Sequence, residues 1–222
     1  MRVLVYVEGP SDRAALEALL EPVISAGRER RVGLRFLVLN DKASILKDSG
    51  RKAADHLSDN PGDWVFALPD LYPMSVYDGT PEQHRSFAEL DELLRSRFRA
   101  RAARVGVPEA ARNHFRVHCL KYDLEGLLLA APDALKRRLQ TADTLNNHWR
   151  RPVEDQNDNN PPKRVVEGLF EKYRRKPKYT DTTDAPWILK RTPLETVVAA
   201  CSQRFAPFVA ELAALANGSA PT

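Results

Sequence analysis

Cysteine is scarce in this chain: two residues in 222, Cys119 and Cys201, with no Cys-x-x-Cys pair. A disulfide framework and a structural zinc site are therefore not expected. Both cysteines sit among apolar neighbours and are predicted as buried thiols, which makes a cytoplasmic location the default expectation. No apolar run approaches the roughly 20 residues of a membrane-spanning helix, so no membrane partner is expected. The segment from Met1 to Gly9 lacks the charged, apolar and small-residue order of a signal peptide. There is no Gly-x4-Gly-Lys-Ser/Thr loop to cradle ATP phosphates. No His–acid pair lies near Ser11 in sequence, so nothing supports a serine hydrolase. No internal repeat is visible.

What is present suits a globular protein. Hydrophobic residues make up 43% and charged residues 29% of the chain. The length allows one full core with an appendage, or two small domains. A net charge of +4 with a pI near 9.1 is only mildly basic, but the basic residues cluster. Arg95, Arg97, Arg99, Arg101 and Arg104 crowd one segment and Lys136, Arg137 and Arg138 another. Lys172, Arg174, Arg175, Lys176 and Lys178 form a third, interleaved with Tyr173 and Tyr179. Such patches attract phosphate backbones, although solvated helix faces offset by Asp91 and Glu92 explain the first as well.

The apolar spacing alternates between strand and helix. Strands are predicted at Val3–Val7, Gly33–Leu39, Trp64–Leu68 and Phe115–Leu120, from short β-branched and aromatic runs. Helices are predicted at Ala14–Ile24, Ala43–Leu57, Pro81–Ala103 and Asp123–Leu139, the last with a break at Pro132. That order predicts an α/β fold with a mostly parallel four-stranded sheet flanked by helices, over residues 1–139. From Gln140 the pattern changes. Gln140–Pro162 is polar and predicted as a loop, Lys163–Tyr173 as a helix, and Lys176–Pro186 as irregular. Pro193–Leu215 is predicted as a helix interrupted near Pro207, with Gly218–Thr222 a tail. Residues 140–222 are thus expected to form a mainly helical extension packed on the first unit.

Three acids fall where an open parallel sheet binds its ligands, beyond the carboxyl ends of the strands. Glu8 ends the first strand, Asp70 the third, and Glu125 follows the fourth. Converging carboxylates repel unless a hard cation neutralises them, and Mg²⁺ suits one or two carboxylates plus waters and phosphate oxygens. Each acid also has a purely structural explanation: a strand leaving the core, a turn after Pro69, a charge in a first helical turn. Asp12 is explained by a helix start. Lys121 and Lys190 are candidates to stabilise charge on a transferring phosphoryl group. His114 and His118, on one strand face, suit packing better than ligation, and His148-Trp149 could stack on a base or anchor a loop.

The run Val5-Tyr6-Val7-Glu8-Gly9-Pro10-Ser11-Asp12 resembles the first Toprim motif, in which an apolar strand ends in Glu-Gly and an acid follows. Toprim proteins include topoisomerases, primases and the overcoming-lysogenization-defect nucleases. The resemblance implies that Glu8 is a catalytic acid or base. The second Toprim motif is a strand ending in Asp-x-Asp that binds metal. Val65-Phe66-Ala67-Leu68-Pro69-Asp70-Leu71-Tyr72 matches its first Asp, with Tyr72 in place of the second. A less characterised Toprim-like bacterial family, often encoded beside ATPase genes in defence or mobile regions, is similar in its Asp-x-Tyr. It is also similar in the aromatic-x-x-Glu of Tyr122-Asp123-Leu124-Glu125, and in the later Pro161-Pro162-Lys163-Arg164 and Phe205-Ala206-Pro207-Phe208. The resemblance covers most of the chain.

It implies a Toprim-like, Mg²⁺- or Mn²⁺-dependent nuclease acting on DNA or RNA. Glu8, Asp70 and Glu125 would serve catalysis, and the same three with Asp12 would serve metal binding. Lys163, Arg164, Lys172, Arg174, Arg175, Lys176 and Lys178 would hold nucleic acid. One alternative is a degenerate binding or regulatory subunit of a partner ATPase, which Tyr72 favours. Another is a small nucleotide phosphohydrolase.

Overall fold

The computed structural model describes residues 1–145, 149–156, 159–174 and 177–219. His148, Arg175 and Lys176 therefore lie outside the described residues, as does the end of the tail. Four strands, β1 (Arg2–Val7), β2 (Gly33–Val38), β3 (Trp64–Ala67) and β4 (Phe115–Val117), form one sheet in the order β2-β1-β3-β4. Every pairing is parallel, with Val5 opposite Phe36 on one side and Phe66 on the other. This is the four-stranded α/β sheet that the alternation predicts.

β1 lies inside the sheet, and its side chains alternate between two cores. Val3, Val5 and Val7 enter one core and Leu4 and Tyr6 the other. The second core is covered by α3 (Lys42–Asp59) and α4 (Phe87–Val105). Asp41 starts α3 by accepting from Ser44 N–H at 2.6 Å, and Ser86 starts α4 by accepting from Glu89 N–H at 3.2 Å. Gly106, at φ 74°, ends α4 in the left-handed conformation that glycine adopts without strain. α3 and α4 touch closely at Gly50, where an added Cβ would lie 2.6 Å from Leu94 O and 2.8 Å from Phe98 N.

The first core is covered by α1 (Pro10–Leu19), α2 (Glu21–Glu29) and all the later helices: α5 (Glu125–Leu129), α6 (Pro132–Leu139), α7 (Pro162–Tyr173), α8 (Asp181–Leu189), α9 (Leu194–Ala200) and α10 (Phe205–Ala216). Phe208 of α10 meets Phe66 edge-on, and the apolar core runs unbroken from Val3 to Ala216.

Several boundaries differ from the predicted ones. The single helix expected over Ala14–Ile24 is two, because Pro22 lacks an N–H and its ring conflicts with a continuing helix. The helix expected from Pro81 begins at Phe87, after the Ser86 cap. The segment expected to be irregular up to Pro186 contains α8, in which Pro186 is an internal residue and Ala185, Ile188 and Leu189 are buried. The last helix breaks at Cys201 to Arg204. Pro207 is tolerated within the first turn of α10, where backbone donors have no partner in the helix. The buried Glu154 carboxylate accepts from the N–H groups of Gln203, Arg204 and Phe205 at 2.6, 2.9 and 3.3 Å, capping α10 from outside.

Overpacking at the closest helix contact gives the first test. Gly50→Ala is expected to destabilise the protein by about 1–3 kcal/mol through displacement of α4. A urea melt would show a lower midpoint at unchanged slope; an unchanged midpoint would mean that α3 and α4 are not packed this tightly.

Candidate functional site

The crossover from β1 to β2 runs over one face of the sheet, through α1 and α2. The crossover from β3 to β4 runs over the other, through α4. The direction of winding thus reverses between β1 and β3, which opens a crevice beyond their carboxyl ends. Glu8 leaves β1 there and Asp70 follows β3. Past Pro69 the β3 segment stays beside the β4 segment, with Leu71 N–H donating to Leu120 O at 2.7 Å and Tyr72 N–H to Lys121 O at 3.1 Å. This ladder carries Tyr72 against Tyr122, with rings stacked 4.7 Å apart.

Glu8 Oε1 accepts from Asp70 N–H at 2.9 Å, which ties the Glu8 carboxyl to the end of the neighbouring β3 segment, close enough for its charge to act on Asp70. Asp12, in the first turn of α1, accepts from Gly9 N–H at 2.7 Å. Asp123 accepts from Lys163 N–H at 3.2 Å, and among the described residues no N–H or hydroxyl group donates to its buried Oδ1. Glu125, 3% exposed, opens α5 and accepts from Tyr179 OH at 2.9 Å.

Burial raises the proton affinity of all five carboxyl groups, and neighbouring acids add to it. Burial pushes Glu8 up to about 7, with the Asp12 charge adding to it and the Asp70 N–H opposing it. Burial, then the Glu8 and Asp12 charges, lifts Asp70 well above the ordinary carboxylate range. Asp12 is pushed to about 6 by burial and by Glu125. Asp123 is pushed to about 7 by burial and by Glu125, and a hydrogen bond between these two carboxyl groups adds to the shift. Burial raises Glu125 too, against the Tyr179 hydrogen bond. Two lysines face the cluster. Lys42, buried against it and held below its ordinary pKa by burial, donates to Leu71 O at 2.9 Å and Pro73 O at 3.0 Å. Lys163 acts on Asp12, Asp123 and Glu125 through space and lies 3.9 Å from Asp181.

The donor set suits a hard divalent cation: oxygen ligands only, a surplus of negative charge, and one buried carboxylate oxygen that receives no N–H or hydroxyl donor among the described residues. Among the described residues no group of three or more His, Cys, Asp or Glu side chains is arranged to hold an ion on its own. Magnesium does not require one, since it binds one or two carboxylates and keeps several waters.

A cleft of about 630 Å³ opens beside the acids. Asp70 and Asp123 line it, with Tyr72, Tyr122, Arg85, Lys163 and Arg164. Of the seven basic residues proposed for nucleic acid, the structure brings Lys163 and Arg164 to this cleft. Lys172 lies roughly 13 Å farther along α7 and sits over the Tyr173 ring. Arg174 caps the far end of α7, and Lys178 is exposed. Lys121 is paired with Asp155 at 2.7 Å and bonded to Gln203. Lys190 lines a separate cavity with Glu17 and Glu195. His114 stacks on Trp64, and His118 on Phe66 beside Glu211. The first basic cluster is largely neutralised inside the protein, Arg95 by Asp91, Arg97 by Glu82, Arg99 by Glu92 and Arg101 by Asp55, and in the second Arg138 is paired with Asp184.

Residues 7–213 match a protein family described as Domain of unknown function, DUF4276. The chain belongs to the DUF4276 family. Among solved structures it is similar to the C-terminal region of the Xanthomonas campestris pv. campestris OLD protein phased with iodine. That similarity has 11% identity and a TM-score of 0.42, over 97% of this chain and 95% of that one. No curated protein matches the chain.

Sequence reasoning missed four residues of this DUF4276 site. Lys42 follows β2, and a search of strand ends for bases as well as acids would have found it. Asp123 is two residues from Glu125, where one helix start explains both. Tyr179 and Arg85 carry no local signal, because only packing brings them in.

The raised proton affinity of Glu8 makes stability depend on pH. A folded state that binds its proton more tightly than the unfolded chain loses stability as pH rises from about 4.5 through about 7. Glu8→Gln is therefore expected to stabilise the metal-free protein by about 1–3 kcal/mol at pH 8 and to change nothing below about pH 4. Thermal melts across that range test this; equal melting temperatures at pH 8 would mean that Glu8 is not strained.

Proposed function

We propose that this chain is a Mg²⁺- or Mn²⁺-dependent phosphodiesterase of the Toprim type that cleaves nucleic acid. The observation that carries the reading is the set of carboxyl groups at the switch point, raised in proton affinity and faced by too few cations. The match of the Glu8 segment to the first Toprim motif supports it.

Asp70 or Glu125 would hold the ion, with at most one further carboxylate and with waters completing its shell. The ion would neutralise the cluster and polarise the phosphodiester. Glu8, holding its proton near neutrality, is suited to take a proton from the attacking water or give one to the leaving oxygen. Its acceptor bond from Asp70 N–H fixes the carboxyl at the end of β1. Tyr179, whose own pKa is raised by burial and by Glu125, stays a hydrogen-bond donor and orients that carboxylate. Lys163 and Arg164, at the first turn of α7, would hold the phosphate from the cleft side.

The test is calorimetric metal binding followed by cleavage assays on DNA and RNA with Mg²⁺ and Mn²⁺. Wild type is expected to bind the ion and to release protons on doing so, because the carboxyl groups are partly protonated near neutrality. Asp70→Asn is expected to lose that binding. Glu8→Gln is expected to lower the cleavage rate at least about 100-fold. Metal binding without cleavage of any polymer would favour a binding subunit, as Tyr72 in place of the second Toprim Asp suggests. Turnover of free nucleotides alone would make it a phosphohydrolase. No metal binding would sink the proposal.

A further inference from the structure

We infer that the cleft beside the carboxyl cluster takes an unpaired nucleotide, and hence that the preferred polymer is single-stranded. The inference rests on the phosphodiesterase reading and names its substrate class. Three features of the cleft point the same way. One wall carries Tyr72 and Tyr122, stacked on each other at 4.7 Å with their planes 16° apart. Their half-buried rings offer an aromatic platform on which a base of any identity can stack. The cleft is also lined by Lys163 and Arg164 on the first turn of α7, where the helix dipole adds to their charge. Asp70 and Asp123 line it too, the acids that a phosphate would approach with its cation.

Size decides between a strand and a duplex. At about 630 Å³ the cleft falls within the range of sites that enclose one small molecule. A base that is still paired and stacked in a duplex cannot turn its face to the Tyr72–Tyr122 wall, so a paired strand would first have to unstack. An unpaired base reaches the wall without that cost. Its flanking phosphate then lies between the basic turn of α7 and the acids. Met74 and Pro73 line the same cleft and give the base apolar contact. Stacking is indifferent to the identity of the base, so little sequence preference is expected.

The experiment is fluorescence anisotropy with the full chain in EDTA at low salt. The probes are a labelled single-stranded 12-mer and a hairpin duplex of equal length. The single strand is expected to bind at least tenfold more tightly. Tyr72→Leu is expected to weaken it by about 5- to 150-fold, with Tyr72→Phe close to wild type. Arg164→Gln is expected to flatten the salt dependence by about 0.7 in log–log slope. Thermal melts establish that each variant is folded. Equal or tighter binding of the duplex, or a folded Tyr72→Leu that binds as wild type does, would overturn the inference. Metal-dependent cleavage of duplex with no preference for single strands would overturn it and leave the phosphodiesterase reading intact. Single-strand preference without metal binding would do the reverse.

Discussion

Carboxyl groups buried side by side repel one another, and most of this architecture bears on where that repulsion is placed. The parallel order β2-β1-β3-β4 ends two adjacent strands at the same level, and each delivers an acid there. Asp70 N–H then ties Glu8 to the neighbouring segment, so the charges cannot swing apart into solvent. The sheet provides the leverage. β1 is paired on both sides and buried on both faces, which lets it hold an unfavourable group at its end. A structure under no functional constraint would separate these acids or pair them with arginine, as it does elsewhere for Asp55, Glu82 and Asp184.

Residues far apart in the chain complete the arrangement. Tyr179 reaches Glu125, and the backbone of Lys163 reaches Asp123. Glu154 caps α10, whose Phe208 packs on Phe66 under the same end of the sheet. Each of these contacts lets a charged or polar group sit near the core with its hydrogen bonds made, which keeps the desolvation cost bearable. Asp123, whose buried Oδ1 receives no N–H or hydroxyl donor among the described residues, lines the cleft, where a ligand can reach its carboxyl group.

The four strands, their order along the chain and the helix between each pair were legible in the sequence, because buried parallel strands leave short β-branched runs that nothing else imitates. Glu8 and Asp70 were legible as strand-end acids for the same reason. Helix boundaries were less so. Pro22 and Pro186 illustrate why: the first ends one helix and opens another, the second sits inside a helix held by buried contacts, and local pattern alone does not separate the two cases. The basic clusters misled in another way. Most of their arginines are consumed by ion pairs that depend on which helices pack together.

The sequence by itself determined the alternation of elements, the absence of a spanning helix among them, and the acids at the strand ends, since each is written in spacing of a few residues. The tertiary structure alone decided that Asp123, Lys42 and Tyr179 join those acids, that Tyr72 meets Tyr122, and that Lys163 and Arg164 face the cleft while Lys121 turns to Asp155. Those outcomes depend on which face of the sheet each helix covers and on the reversal of winding between β1 and β3. The hydrogen bonds and ring contact that place Lys42, Lys121, Lys163, Tyr179 and Tyr72 join residues 29 or more positions apart, across which no local periodicity carries information.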